Sequence, residues 1–297
     1  MSDGTTSLRR KIASAGDLQS VVRSMKALAA SSIGQYEKSV LASADYYRTV
    51  ELGLGACLRA RTSGDILAMK IGDARTESVS AIVLGSDQGL VGQFNQVVAE
   101  FAVATLAPLP GRRQVWSIGD RVRGCLTDAG LPLLGVLSMP NSVKAIASLV
   151  GQIQIDLEAH RALDVNACVY VIYNRPRAGA SPEPVAKRLL PFDSKWEEEL
   201  VKVAWPSRNL PQVWGGENAT LRALIREYVF ISLFRACAES LASENASRLA
   251  AMERVDKNIN GLLENLESSF HRIRQQSIDE ELFDVVAGFE ALSGAKQ

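Results

Sequence analysis

The sequence predicts an α/β protein in which long N- and C-terminal helices form an antiparallel coiled coil flanking a central α/β domain with a mostly parallel sheet. Three observations predict it: the placement of proline, the period of apolar residues in the two flanks, and the alternation of β-rich and helical stretches between them. All ten prolines fall between Pro108 and Pro211, so the first 107 and last 86 residues contain none. Proline costs about 3 kcal/mol inside a helix, and long proline-free flanks with helical periodicity therefore read as uninterrupted helices.

In the N-terminal flank Leu8, Ile12, Ala15, Leu18, Val22, Met25, Ala29 and Ile33 advance by steps of three or four. The small residues Ala27, Ala29, Ala30, Ser31 and Ser32 allow a second helix to approach closely. The middle then alternates. Ser78 to Leu84 is β-rich and leads through GSDQGLVGQFN into a helix from Gln93 to Thr105. Gln114 to Ile118 precedes a short helix over 120–128. Leu133 to Leu137, a helix from Ser142 to Ala159 and a strand from Ala167 to Tyr173 follow, a pattern that predicts parallel strands with crossover helices. The proline-rich stretch Arg175 to Pro184 and the strand-like Val185 to Leu190 predict a terminal hairpin.

In the C-terminal flank Leu221, Ile225, Tyr228, Ile231, Phe234, Ala238 and Leu241 begin a stripe. Leu249, Met252, Val255, Ile259, Leu262, Leu266, Phe270 and Ile273 continue it at a period just under 3.5, that of a left-handed coiled coil. One helix from Asn218 to Leu292 would be about 110 Å long at the α-helical rise, too long to be enclosed in a domain of this size. Its stripe needs a partner, which the N-terminal stripe supplies; the longer C-terminal helix is expected to run on past it unpaired. The expected division is residues 1–60 for the N-terminal shaft helix, 61–217 for the globular α/β domain and 218–297 for the C-terminal shaft helix.

Composition narrows the function. With 33 basic and 33 acidic residues there is no global cationic field to collect nucleic acid or an anionic membrane surface. No run of 18 uncharged apolar residues occurs, and the N-terminus has no apolar signal core, so neither membrane insertion nor export is expected. The four cysteines, Cys57, Cys125, Cys168 and Cys237, lie far apart and read as small buried hydrophobes in a reducing compartment. The two histidines, His160 and His271, fall in different expected helices without a cysteine pair, so no metal site is expected.

Gly85 to Gly92 sits at a strand-to-helix junction, where open α/β sheets often bind phosphate. Its spacing fits neither the dinucleotide fingerprint nor the P-loop, and no Lys-Ser/Thr follows. It reads as a tight turn using glycine for positive φ, with Ser86 or Asp87 capping the next helix. The acidic runs Glu197-Glu198-Glu199 and Asp279-Glu280-Glu281 read as solvated faces. No cofactor or catalytic residue is expected.

Three stretches together resemble the gamma subunit of F-type ATP synthases. LRRKIASAGDLQSVVRSMKALAAS resembles that family's opening helix, GSDQGLVGQFN its Ser-Asp-Arg-Gly-Leu-Cys-Gly-Gly-Leu-Asn turn, and ESLASENASRLAAMERVDKNINGLLENLESSFHRIRQQSIDEELFDVVAG its C-terminal helix almost without gaps. The resemblance implies a rotor shaft inside a hexamer of alpha and beta subunits, resting on a membrane ring of c subunits with an epsilon subunit, at the cytoplasmic face of a bacterial membrane. ATP chemistry then belongs to beta. It also implies that Arg274 and Gln275 engage a catch loop of beta, and that Met25, Lys26 and Arg248 lie level with beta's acidic lever segment. The family's Arg, Cys, second Gly and Leu in the turn are Gln88, Val91, Gln93 and Phe94 here. Its usual Thr in the C-terminal helix is Asp279, which would meet an acidic catch loop repulsively, and Trp205 to Gly216 lacks its Tyr-Glu-Pro pattern. These departures resemble a divergent bacterial branch, such as the second, sodium-associated ATPase type, though gamma does not name the ion. The competing readings are a nucleotide-dependent enzyme dimerised by its helices and a freestanding coiled-coil adaptor.

Overall fold

A computed structural model describes residues 3–60, 78–163, 167–177, 181–209, 211 and 217–294. The chain divides into two compact units: residues 1–28 with 249–297, and residues 29–248.

The larger unit is built on a five-stranded sheet. Strands β1 (Ser78–Leu84), β2 (Arg112–Ile118), β3 (Leu133–Leu137), β4 (Cys168–Arg175) and β5 (Glu183–Leu190) lie in the order β3-β2-β1-β4-β5. The first four pair in parallel, and β5 returns antiparallel on β4 as the expected hairpin. Every residue of β1 is buried, as a central parallel strand covered on both faces requires. Alternation along it feeds two cores. Val79, Ala81 and Val83 face helices α3 (Phe94–Leu106) and α4 (Asp120–Asp128) through Val98, Ala102, Val122 and Leu126. Ile82 and Leu84 face α5 (Val143–Leu163) and the first half of a 78-residue helix, labelled α7 below, through Ile146, Val150, Leu233 and Cys237.

The N-terminal flank is two helices, α1 (Asp3–Ala42) and α2 (Ala44–Ala60), separated at Ser43. The Ser43 hydroxyl donates to the carbonyl of Val40 at 2.7 Å, the kind of side-chain back-bond that bends a helix, while Ser43 N and Tyr47 N keep their bonds to Ser39 O and Ser43 O. A further helix, α6 (Ser194–Lys202), contains the acidic run that reads as a solvated face in sequence. Asp193 caps it by accepting from Lys195 N, and its other face carries Trp196 and Leu200 into a cluster with Val50, Leu54, Leu221 and Tyr228. Its backbone lies hard against α2: a Cβ on Gly55 would fall 2.5 Å from Leu200 O.

Helix α7 (Glu217–Gly294) is unbroken over 78 residues, close to the expected 218–292. From Ile231 to Ser243 nearly every residue except Phe234 and Arg235 is buried, so this stretch is a core helix rather than an amphipathic one. In the smaller unit α1 and α7 run antiparallel, since Lys26 meets Asp256, Gln19 meets Asn260 and Arg9 lies over Phe270. The seam differs from the expected stripe at two positions. Leu18 and Leu262 point outward at 59% and 51% exposure, and Gln19 and Leu263 occupy the seam instead.

Two expectations fall partly on residues outside the described set: 178–180 of the proline-rich stretch, and 210 and 212–216 of the Trp205–Gly216 segment.

Candidate partner-contact surface

In the smaller unit, Val22, Met252 and Ile259 form a buried cluster with Met25, Ala251, Val255 and Leu263 packed against it. Beside this apolar patch lies a polar layer. Lys26 Nζ donates to Asp256 Oδ2 at 3.0 Å, and Gln19 Nε2 reaches both Asp256 Oδ1 at 3.5 Å and Asn260 Oδ1. The Lys26 hydrogen bond, foremost, holds the Asp256 carboxyl below its ordinary range. A polar layer in an apolar seam costs stability and fixes register, because a slipped pairing leaves its groups unmatched. Further along, the Arg9 guanidinium sits 5.3 Å from the Phe270 ring centroid.

Beyond this pairing α7 is exposed through residue 287 apart from the half-buried Ile273 and Ser277. Arg274, Gln275 and Asp279 are exposed, and so are the large apolar residues Ile278, Leu282, Phe283, Val285 and Val286. A bare helical stretch carrying five exposed apolar side chains is a surface made for contact.

In the larger unit the glycine turn lies at the carboxyl ends of the parallel strands. Positive φ falls on Leu90 and Gly92, at 63° and 61°. Neither Ser86 nor Asp87 caps α3, whose N-cap is Gln93 without a side-chain cap bond. Instead Asp87 accepts from Asp120 N and Met139 N, both at 2.9 Å, and so ties the first turn of α4 and the β3–α5 loop to the turn after β1. Ser86 N donates to Asn95 Oδ1 at 2.9 Å, and Asn95 returns a bond to Ser86 Oγ at 2.8 Å. The Asp87 carboxylate and the Ser86 amide and hydroxyl are thus engaged by partners within the protein.

Helix α7 is fastened to the sheet by a second polar group. Tyr173 OH donates to Glu239 Oε2 at 2.8 Å, Arg235 Nε to Glu239 Oε1 at 2.9 Å, and Arg175 Nε lies 3.5 Å from the same carboxylate. Burial first, then the Glu239 charge, pushes the Tyr173 phenol up to about 12. Arg248, in the same unit, is nine-tenths buried with Nη2 on Glu244 Oε1 at 2.7 Å. Among the described residues no three His, Cys, Asp or Glu side chains cluster as metal ligands would, and no helix is long and apolar enough to cross a membrane. His160 bonds Gln114 at 2.8 Å edge-on to Trp116, while His271 is exposed. Cys57 and Cys237 are buried as expected, whereas Cys125 and Cys168 are half-buried beside the second core.

Residues 4–292 match the family model for ATP synthase. The chain belongs to the ATP synthase gamma-subunit family. It is 26% identical over 294 residues to the ATP synthase gamma chain of Pasteurella multocida, covering 97% of this chain and 99% of that one. Its fold is shared with a chain of the Euglena gracilis mitochondrial ATP synthase rotor at TM-score 0.61 and 16% identity, over 93% of this chain and 99% of that one. A central-stalk chain from Tetrahymena thermophila mitochondrial ATP synthase matches at TM-score 0.56 and 18% identity, over 79% of this chain and 99% of that one.

For this member of the gamma family, the five residues implied as partner contacts separate into three environments. Met25 and Lys26 sit together against α7 in the smaller unit. Arg274 and Gln275 are exposed on the bare end of α7. Arg248 lies in the larger unit, with its guanidinium committed to Glu244. The sequence reading passes over Asp256, Asn260 and Glu244. Asp256 and Asn260 stand four residues apart on one helix face, which is a legible signal once α1 is placed opposite with Gln19 and Lys26 facing them.

Proposed function

We propose that this chain is the central rotor shaft of a rotary F-type ATP synthase, coupling ion flow through a membrane ring of c subunits to ATP synthesis or hydrolysis in an alpha/beta hexamer. The observation that carries this is the match of residues 4–292, nearly the whole chain, to one family. The chain works as a transmission element without a catalytic site of its own. The turn after β1 has no P-loop lysine, and its polar groups are spent on Asp120 N, Met139 N and Asn95. Arg274 and Gln275 meet a catch loop of beta, with Met25, Lys26 and Arg248 level with beta's lever segment. The exposure of Arg274 and Gln275 supports the first, and the half-buried pairing of Lys26 with Asp256 gives the second a fixed rather than a swinging cation. An epsilon subunit and the c ring take the globular part, and these partners hold the chain at the cytoplasmic face of a bacterial membrane.

The test is assembly and nucleotide binding together. The purified chain is expected to co-elute with alpha and beta on size exclusion, and to show no saturable ATP binding alone by equilibrium dialysis. Micromolar ATP binding abolished by Asp87→Ala, with no co-elution, would favour an enzyme built on the α/β unit.

A further inference from the structure

One polar group in the larger unit leaves a buried hydrogen-bonding atom unmatched. A cavity of about 280 Å³ at the carboxyl ends of β1 to β3 is lined by Tyr36, Asp87, Met139, Glu244, Asn245 and Arg248, among others. On α7, Glu244 and Arg248 form an i,i+4 pair with side chains 9% and 11% exposed. Arg248 Nη1 reaches Asn245 Oδ1 at 3.4 Å, but its Nε is buried with no hydrogen-bond partner. The guanidinium is thus only partly satisfied, in a cavity that offers a second carboxylate. That carboxylate, Asp87, is the one tying the first turn of α4 and the β3–α5 loop together.

We propose that Glu244 and Arg248 are a proton-operated latch. With Glu244 ionised, the guanidinium stays on α7 and Asp87 holds Asp120 N and Met139 N. When Glu244 takes a proton from solvent, the guanidinium transfers to Asp87, the one carboxylate left in the cavity, and competes with those two amides. No bond between heavy atoms forms or breaks.

The charges facing the pair favour this. Helix α1 presents Tyr36, whose phenol burial pushes up and so keeps neutral. The turn after β1 presents Asp87, and the β3–α5 loop presents only the uncharged Met139, Pro140 and Asn141. Burial raises the Glu244 carboxyl, the Asp87 charge adds to that, and Arg248 opposes it. A carboxyl raised on folding binds its proton more tightly in the folded chain. Its ionised form therefore costs stability above the folded pKa, and that cost is relieved as the pH falls through it. Keeping a carboxylate at such a cost fits a switch better than a fastening.

The experiment is hydrogen–deuterium exchange on the full chain from neutral to mildly acidic pH, corrected for intrinsic exchange, with β1 as the reference segment. Protection of the segments holding Asp120 and Met139 is expected to fall about tenfold or more on acidification, the size of one hydrogen bond to a charged group. Glu244→Gln should show the lowered protection at every pH. Arg248→Met should show full protection at every pH, and Asp87→Asn should abolish the pH dependence. A wild-type profile that is flat with pH, or one that Glu244→Gln leaves unchanged, overturns the proposal. If Arg248→Met does not fold, the Glu244→Gln and Asp87→Asn profiles decide. Loss of ATP-synthase assembly would leave these readouts intact, so the latch and the rotor reading fail separately.

Discussion

Gly119 shows how one residue positions a whole set of loops. It sits at φ 112°, in the region that favours glycine, and a Cβ there would fall 2.8 Å from Ser86 N and 2.9 Å from Ser86 C and O. This is where the ends of β1 and β2 meet: Gly85 N bonds Ile118 O, Gly119 N bonds Leu137 O, and Arg121 N bonds Ser86 O. Gly119→Ala combines backbone strain with a clash against main chain that cannot rotate away, and is expected to cost about 3 kcal/mol or more. Gly130→Ala is the control, since it too has a positive φ, 74°, but nothing within 4 Å of its added methyl, so only strain of about 1–2 kcal/mol applies. Urea midpoints at unchanged m-value check both, and equal losses would show that the close approach at Ser86 carries no weight. The glycine turn itself was legible as a turn, because glycine spacing and the missing lysine are local signals. Asp87's partners were not, because they are backbone amides at Asp120 and Met139, and no pattern in sequence marks which amide lacks a partner.

Among the elements, the coil seam separates what periodicity can and cannot resolve. Ala15, Val22, Ala29, Met252 and Ile259 are buried as their spacing predicts. Steps of three and four are interchangeable in a 3.5 repeat, however, and choosing apolar residues at each step selects Leu18 over Gln19 and Leu262 over Leu263. The structure makes the opposite choice, because Gln19 finds Asn260 and Asp256 across the seam. Helix α6 was missed for a related reason: its three consecutive glutamates outweigh the two residues, Trp196 and Leu200, that carry its buried face. The register has a direct test. Val22→Cys with Ile259→Cys should close a disulfide under mild oxidation, since the two side chains share one buried cluster and the Gln19–Asn260 and Lys26–Asp256 contacts on either side set them level. Leu18→Cys with Leu262→Cys should not, as both point outward. Cross-linking of the second pair in preference to the first would mean that the seam is rotated from the one described.

For the whole molecule the question is how a shaft carries load, and magnitudes decide it. One ion charge moving through 100 mV supplies roughly 2.3 kcal/mol, and several ions contribute to each ATP, so each step transmits many kcal/mol. An exposed ion pair contributes about 0.2–1 kcal/mol and cannot hold that alone. Arg274 is exposed and makes at most such a contact, so Arg274→Ala in an assembled complex is expected to weaken coupling only in part. The unbroken α7 is a different matter, and the outward position of Leu262 gives a clean probe of it. Because Leu262 is half exposed, Leu262→Ala removes little packing and should leave coupling near normal. Leu262→Pro removes the backbone bond to the carbonyl of Asn258 and clashes with that turn, at a cost of about 3 kcal/mol or more, while losing little more side-chain burial than the alanine does. Any difference between the two variants therefore reports on continuity of the helix. ATP-driven ion pumping in vesicles, with hydrolysis measured in parallel, is expected to show Leu262→Pro hydrolysing without pumping or failing to assemble. A Leu262→Pro complex that assembles and pumps like Leu262→Ala would show that load passes elsewhere than along α7, and the rotor-shaft reading would lose its transmission element.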